Sequence, residues 1–220
     1  SYTTEELHAA IHEAHHFHRL TAAHCCAKES MVRAIEAGID LMEHAEFLET
    51  DDQLHFDTRI AEMMEESRIW ISPTLQSWTR YPRIVELNAK LKDGDISVAE
   101  EAELQGLEQR AEVRLDVMRR MLDYNLRDRI VPGTDSGVNN LAFGHLDYDL
   151  QLLVQVGFTP AETLIAATRI SAEAIGLDDE IGTIQSGKVA DLVAFDGDPT
   201  VDVDALSRVV AVFQAGCRIK

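Results

Sequence analysis

The chain has 220 residues, 45% of them hydrophobic, and sets 20 Lys and Arg against 39 Asp and Glu, a formal net charge of −19. That apolar content excludes a disordered chain, and no run approaches the ~18–20 apolar residues a membrane span needs. The excess of acid argues against nucleic-acid or anionic-membrane partners, both of which reward Lys and Arg.

Thr3-Thr4-Glu5-Glu6 reads as a capping box, and Leu7, Ala10, Ile11, Ala14 and Phe17 follow at helical spacing, which predicts a helix over 4–18. Leu20 to Cys25 is a short apolar run that suits a buried strand. Lys28 to Ala37 reads as a helix stopped by Gly38, and Ile39 to His44 as the next strand. Residues 52–67 predict another helix, Arg68 to Leu75 a strand, and 82–128 a long helical stretch striped by Leu104, Leu107, Ala111, Leu115, Met118 and Leu122. Ile130 to Asp135 reads as a strand entering a loop, followed by helices near 146–156 and 160–175, the second opened by Thr159-Pro160. Strands alternating with helices predict parallel βαβ units. Beyond Gly176 the texture changes: residues 182–188, 190–196 and 209–219 look like short antiparallel strands, placing a domain boundary near 177.

Three chemically capable side chains fall at the ends of these strands: His24, His44 and Asp135, with His145 on the loop beyond. In a parallel barrel, side chains at that end converge on one face. Two imidazoles and a carboxylate have the composition of a site for a borderline divalent cation. The residues alone are equally compatible with two ordinary, partly buried histidines. Three cysteines (Cys25, Cys26, Cys217) make no disulfide framework, so a reducing, cytoplasmic setting is expected.

Ala22-Ala23-His24, Glu36-Ala37-Gly38-Ile39-Asp40 with Glu43-His44-Ala45, and Pro132-Gly133-Thr134-Asp135-Ser136-Gly137 together resemble the metal-dependent amidohydrolase superfamily, in its imidazolonepropionase-like and Xaa-Pro-dipeptidase-like branch. Gly182-Thr183-Ile184, Gly187 to Val193, Asp196-Gly197-Asp198-Pro199 and Val212 to Gly216 resemble that family's return to its small β-domain. The resemblance implies a (β/α)8 barrel that hydrolyses an amide or related C–N bond at a centre of one or two metals, zinc or another divalent ion. It implies that His24 and His44 are the fifth- and sixth-strand ligands. It also implies that Asp135 is the eighth-strand aspartate, which binds metal and accepts a proton.

The pattern departs from the family in two places. No His-x-His occurs on a strand before Leu20, and no fourth-strand lysine is present. A whole barrel takes ~250 residues, whereas only four strand candidates precede residue 177. The fold class expected is therefore α/β, the C-terminal half of a barrel (1–177, with a helical insertion at about 82–128) plus part of a β-sandwich (178–220). Ser1 is read as the edge of a fragment. Half a barrel exposes strand edges and apolar faces, so a missing N-terminal half or a second copy in a homo-oligomer is expected as partner. Little hydrolase activity is expected of the isolated chain. The competing reading is a non-catalytic half-barrel serving as an assembly or scaffold module.

Other signals point elsewhere. His12-Glu13-Ala14-His15-His16 matches the zinc-protease pattern His-Glu-x-x-His, but on a capped helix in a βα rhythm, where a solvated His-rich face is the plainer reading. Cys26 stands where relatives often carry a second histidine, either as a soft ligand or as a small packed residue. Arg80 and Tyr81, with His145, are candidates for contact with a small amide or dipeptide substrate, Arg80 by clamping a carboxylate.

Overall fold

The computed structural model describes residues 2–138 and 141–220. It opens with helix α1 (Thr4–His16), whose capping box is formed: Thr3 Oγ1 accepts from the Glu6 amide and the Thr3 amide donates to Glu6. Strand β1 (Ala22–Ala27), helix α2 (Lys28–Glu36), strand β2 (Leu41–Leu48), helix α3 (Thr58–Ser67) and strand β3 (Trp70–Ser72) follow. The three strands pair in parallel in the order β1-β2-β3, with His24 opposite Glu43 and Glu43 opposite Ser72. The expected fourth strand is reduced to one parallel bridge, Ile71 with Ile130. It leaves the sheet at once because Pro132 has no amide hydrogen to donate.

A short helix α4 (Leu75–Thr79) comes first, and the helical stretch expected over 82–128 is broken into α5 (Tyr81–Asp93) and α6 (Val98–Leu122). The breaks fall at Arg80 and Gly94, both with left-handed backbone, and Ser97 with Glu100 forms a second capping box that restarts the chain. Ile84 and Leu87 of α5 bury against Leu104, Leu107 and Ala111 of α6. The rest of the α6 stripe, Leu115 and Met118, joins the main core with Met31, Met42, Phe47, Ile71 and Ile130. Residues 52–57 lie outside any helix, because Asp57 caps α3 and fixes its start.

Helix α7 (Leu146–Gln155) precedes α8 (Pro160–Ile165), which runs through a π-helical turn at Ala166–Ile170 into α9 (Ser171–Ala174). Gly182, at φ +88°, lies so close to the Thr168 carbonyl and the Ala172 methyl that a side chain there would overlap them. That packing explains one correction: residues 182–188 turn against the helix and form no strand. Strands β4 (Leu192–Phe195), β5 (Val209–Gln214) and β6 (Cys217–Arg218) form a separate antiparallel sheet in that order. Among the described residues, no helix is long and apolar enough to cross a membrane.

Candidate active site

The parallel pairing brings the ends of β1, β2 and β3 to one face. A cavity of about 310 Å³ there is lined by Ala22, His24, Glu43, His44, Ser72, Thr74, Gly133 and Asp135. His24, His44 and Asp135 therefore share one pocket. Among the described residues, no group of three or more His, Cys, Asp or Glu side chains is drawn together as a closed ligand set.

His24 sits exposed at the β1 edge, and its Nδ1 lies 2.7 Å from His44 Nε2. On the far side of that ring, His44 Nδ1 lies 2.8 Å from Thr74 Oγ1. Burial, then the neighbouring His24, lowers the His44 pKa, so its ring is neutral at neutral pH. Neutral imidazole is the form that binds a cation. The backbone turns left-handed at His44 (φ 72°) and again at Ala45 (φ 49°), where the pairing with β1 shifts register before resuming between Ala27 and Leu48.

Asp135 is also left-handed, at φ 52°, and its Oδ2 accepts from Ser77 Oγ at 3.0 Å. Gly133 is needed two residues earlier: a Cβ there would collide with Ser72 Oγ, which lines the same pocket. Glycine thus lets the segment after Ile130 lie against β3 closely enough to aim Asp135 into the cavity.

Several residues that support this arrangement escaped the sequence reading. Arg114 of α6 is buried and donates Nη1 to the Ala45 carbonyl at 3.2 Å, and Nη2 to the carbonyls of His44 at 2.5 Å and Pro73 at 3.0 Å. One guanidinium thus ties the middle of β2 to the residue just past β3, although among the described residues its Nε has no partner. Burial pulls its pKa down to about 10, and Glu46 is the nearby acid opposing that. Gln76 and Asp149 form a second buried support, with Gln76 Nε2 donating to Asp149 Oδ2 at 2.6 Å and to the His145 carbonyl at 3.0 Å. A signal for both existed. Asp149 falls at helical spacing with Leu146, Leu150 and Leu153, and Arg114 with Ala111 and Met118. A charged residue inside an apolar stripe marks a buried polar contact.

The remaining candidates lie elsewhere. Arg80 is exposed, Tyr81 packs edge-on against Tyr148 with its hydroxyl accepting from Gln155, and His145 stacks on Tyr148. None of the three lines the cavity. His12, Glu13 and His16 are all exposed on α1, so that helix presents the solvated face of the plainer reading. The Cys26 thiol is pushed up to about 12 by burial and by Glu46, and the Cys25 thiol to about 11 by burial. Neither thiol lines the cavity.

The chain is similar to several known proteins. The chain is 25% identical over 213 residues to ochratoxinase of Aspergillus niger, a match covering 96% of this chain and 39% of that protein. It is 56% identical over 43 residues to imidazolonepropionase of Geobacillus sp. (strain WCH70), covering 20% of this chain and 10% of that one. Its fold superimposes with a TM-score of 0.75 and 25% identity on a Xaa-Pro dipeptidase crystallised with methionine in its active site, over 100% of this chain and 49% of that one. The chain thus spans about half the length of that dipeptidase and less of the two curated relatives. The model of the amidohydrolase family matches residues 1–219, and the chain belongs to that family.

Proposed function

We propose that residues 1–177 are the second half of a (β/α)8 barrel and residues 178–220 the returning strands of a small β-sandwich domain. In this reading the chain contributes His24, His44 and Asp135 to a divalent-metal centre that hydrolyses an amide or dipeptide C–N bond. The observation that carries the reading is convergence: two imidazoles and a carboxylate, from three separate segments, line one cavity. The donor set fits a borderline cation, zinc before others. When bound, such a cation supplies Lewis acidity, polarising the scissile carbonyl and lowering the pKa of water.

The chain's own residues supply the rest. His24 and His44 offer nitrogen without cancelling the cation's charge. Asp135, with Oδ2 held by Ser77, keeps Oδ1 to take a proton from the attacking water and return it to the leaving nitrogen. A small amide or dipeptide as substrate is supported by the likeness to a Xaa-Pro dipeptidase. Arg80, Tyr81 and His145 stand off the cavity and are left the outer end of that substrate. The further strands and ligands of the site would come from polypeptide outside these 220 residues, or from a second copy in a homo-oligomer.

Zinc titration of the metal-free chain, followed calorimetrically, tests this. Zinc is expected to bind, and His24→Ala or His44→Ala to weaken binding at least about 10-fold. Binding untouched by both changes but lost in His12→Ala/His16→Ala, or no binding at all, would contradict the reading; the latter outcome favours a scaffold module.

A further inference from the structure

Thr74 does something other than what its position prescribes. It is the N-cap residue of α4, yet its side chain makes no cap hydrogen bond. A threonine at an N-cap ordinarily accepts from an amide two or three residues ahead. Here Oγ1 instead faces His44 Nδ1 at 2.8 Å. The backbone of Thr74 is also left-handed, φ 45° and ψ 49°, a costly conformation for a β-branched residue that persists only where its surroundings hold it.

What holds it is on another element. Asp149, on α7 and 1% exposed, accepts from the Gln76 amide at 3.3 Å through Oδ1 and from Gln76 Nε2 at 2.6 Å through Oδ2, and the Leu75 amide also donates to it. The Gln76 amide in the first turn of α4 is thus satisfied from 73 residues away in the chain. The residue that would normally cap it is freed.

We propose that Asp149 is a positioning residue for the candidate site: by capping α4 from outside, it releases the Thr74 hydroxyl to accept from His44 Nδ1–H, which fixes the His44 tautomer with Nε2 bare beside His24. An imidazole that binds a cation through one nitrogen usually donates its other N–H to such a partner, which fixes tautomer and ring orientation together. Asp149 touches neither histidine and acts only through Thr74 and the start of α4. The proposal deepens the metal-site reading and rests on it for zinc affinity alone. The tautomer itself is a property of the metal-free chain.

Nitrogen-15 NMR of histidine-labelled, metal-free chain at pH 8 reads the tautomer, with the His44 signals assigned by their loss in His44→Gln. The native chain is expected to show His44 protonated on Nδ1. Thr74→Val removes the acceptor and keeps the β-branched shape, and it should populate the Nε2–H tautomer. Asp149→Asn sets an amide donor against one of the donors the carboxyl now accepts from, and it should do the same. Should that variant not fold, Asp149→Ser, which leaves room for water, is read in its place. Each change should weaken zinc binding about 10-fold, and Thr74→Val/Asp149→Asn no more than the stronger single change, because both act along one path. A folded Asp149 variant, or Thr74→Val, that keeps His44 in the Nδ1–H tautomer overturns the proposal, as do additive effects on zinc affinity. Tautomer shifts in a chain that binds no zinc would instead leave the positioning role standing and remove the metal reading.

Discussion

Burial pushes the Asp149 carboxyl up to about 7; the Gln76 and Leu75 hydrogen bonds pull the other way, and Asp135 is the nearby acid that adds to the rise. In the unfolded chain the group returns to the ordinary aspartate value, so the folded state binds its proton more tightly than the unfolded state does. The associated stability is fully present below about pH 4 and is lost as the pH rises through about 7, a change on the order of 4 kcal/mol. Urea unfolding of native chain and Asp149→Asn at pH 4.5 and pH 8 checks this: the native chain's advantage should shrink at the higher pH. An advantage that is equal or larger at pH 8 contradicts the buried, proton-retaining carboxyl. At this scale the sequence singled out His24, His44 and Asp135, although β1 and β2 run on past the two histidines to Ala27 and Leu48. It was silent on Thr74 and Ser77, whose hydroxyls carry no periodic signal. Arg114 and Asp149 were visible as charges inside apolar stripes, but only to a reader asking which polar residues would be buried.

Helix α6 spans 25 residues, and its Arg114 side chain bonds both the His44 and Ala45 carbonyls within β2 and the Pro73 carbonyl just past β3. This makes the insertion a structural brace for the site and gives its buried face a measurable role. Arg114→Met keeps the bulk and removes every donor, taking away three hydrogen bonds to main-chain carbonyls at a cost of about 3 kcal/mol or more. Arg119→Met, which breaks a partly exposed pair with Glu112, should cost under about 1 kcal/mol. Equal unfolding midpoints for the two variants would sink the brace. The sequence marked this region as helical from its stripe but not its breaks. Glu, Lys and Arg on every face conceal the end of one helix and the start of the next. Gly94 and the Ser97–Glu100 capping box carry that information locally. Residues 182–188 were misjudged for the reverse reason: a Gly-Thr-Ile run alternates like a strand, and only its packing on the π-helical turn settles its path.

Across the whole molecule, two sheets divide the work. The parallel sheet carries every residue assigned to the candidate site, either on its strands or on the segments that leave them, while β4, β5 and β6 carry none. That division was readable from the sequence because a βα rhythm gives way to short Gly-punctuated strands after Gly176. In the half-barrel reading proposed above, no periodicity within the parallel strands encodes what completes them. Among the described residues β1 pairs on one side only, so its other edge offers the backbone groups that a completing strand would need. The central claim concerns a single location, and anomalous scattering measured at the zinc edge from zinc-soaked crystals of the chain tests it most directly. The account predicts a peak within the cavity bounded by His24, His44 and Asp135. A peak on the His12–His16 face of α1, with that cavity empty, would contradict it.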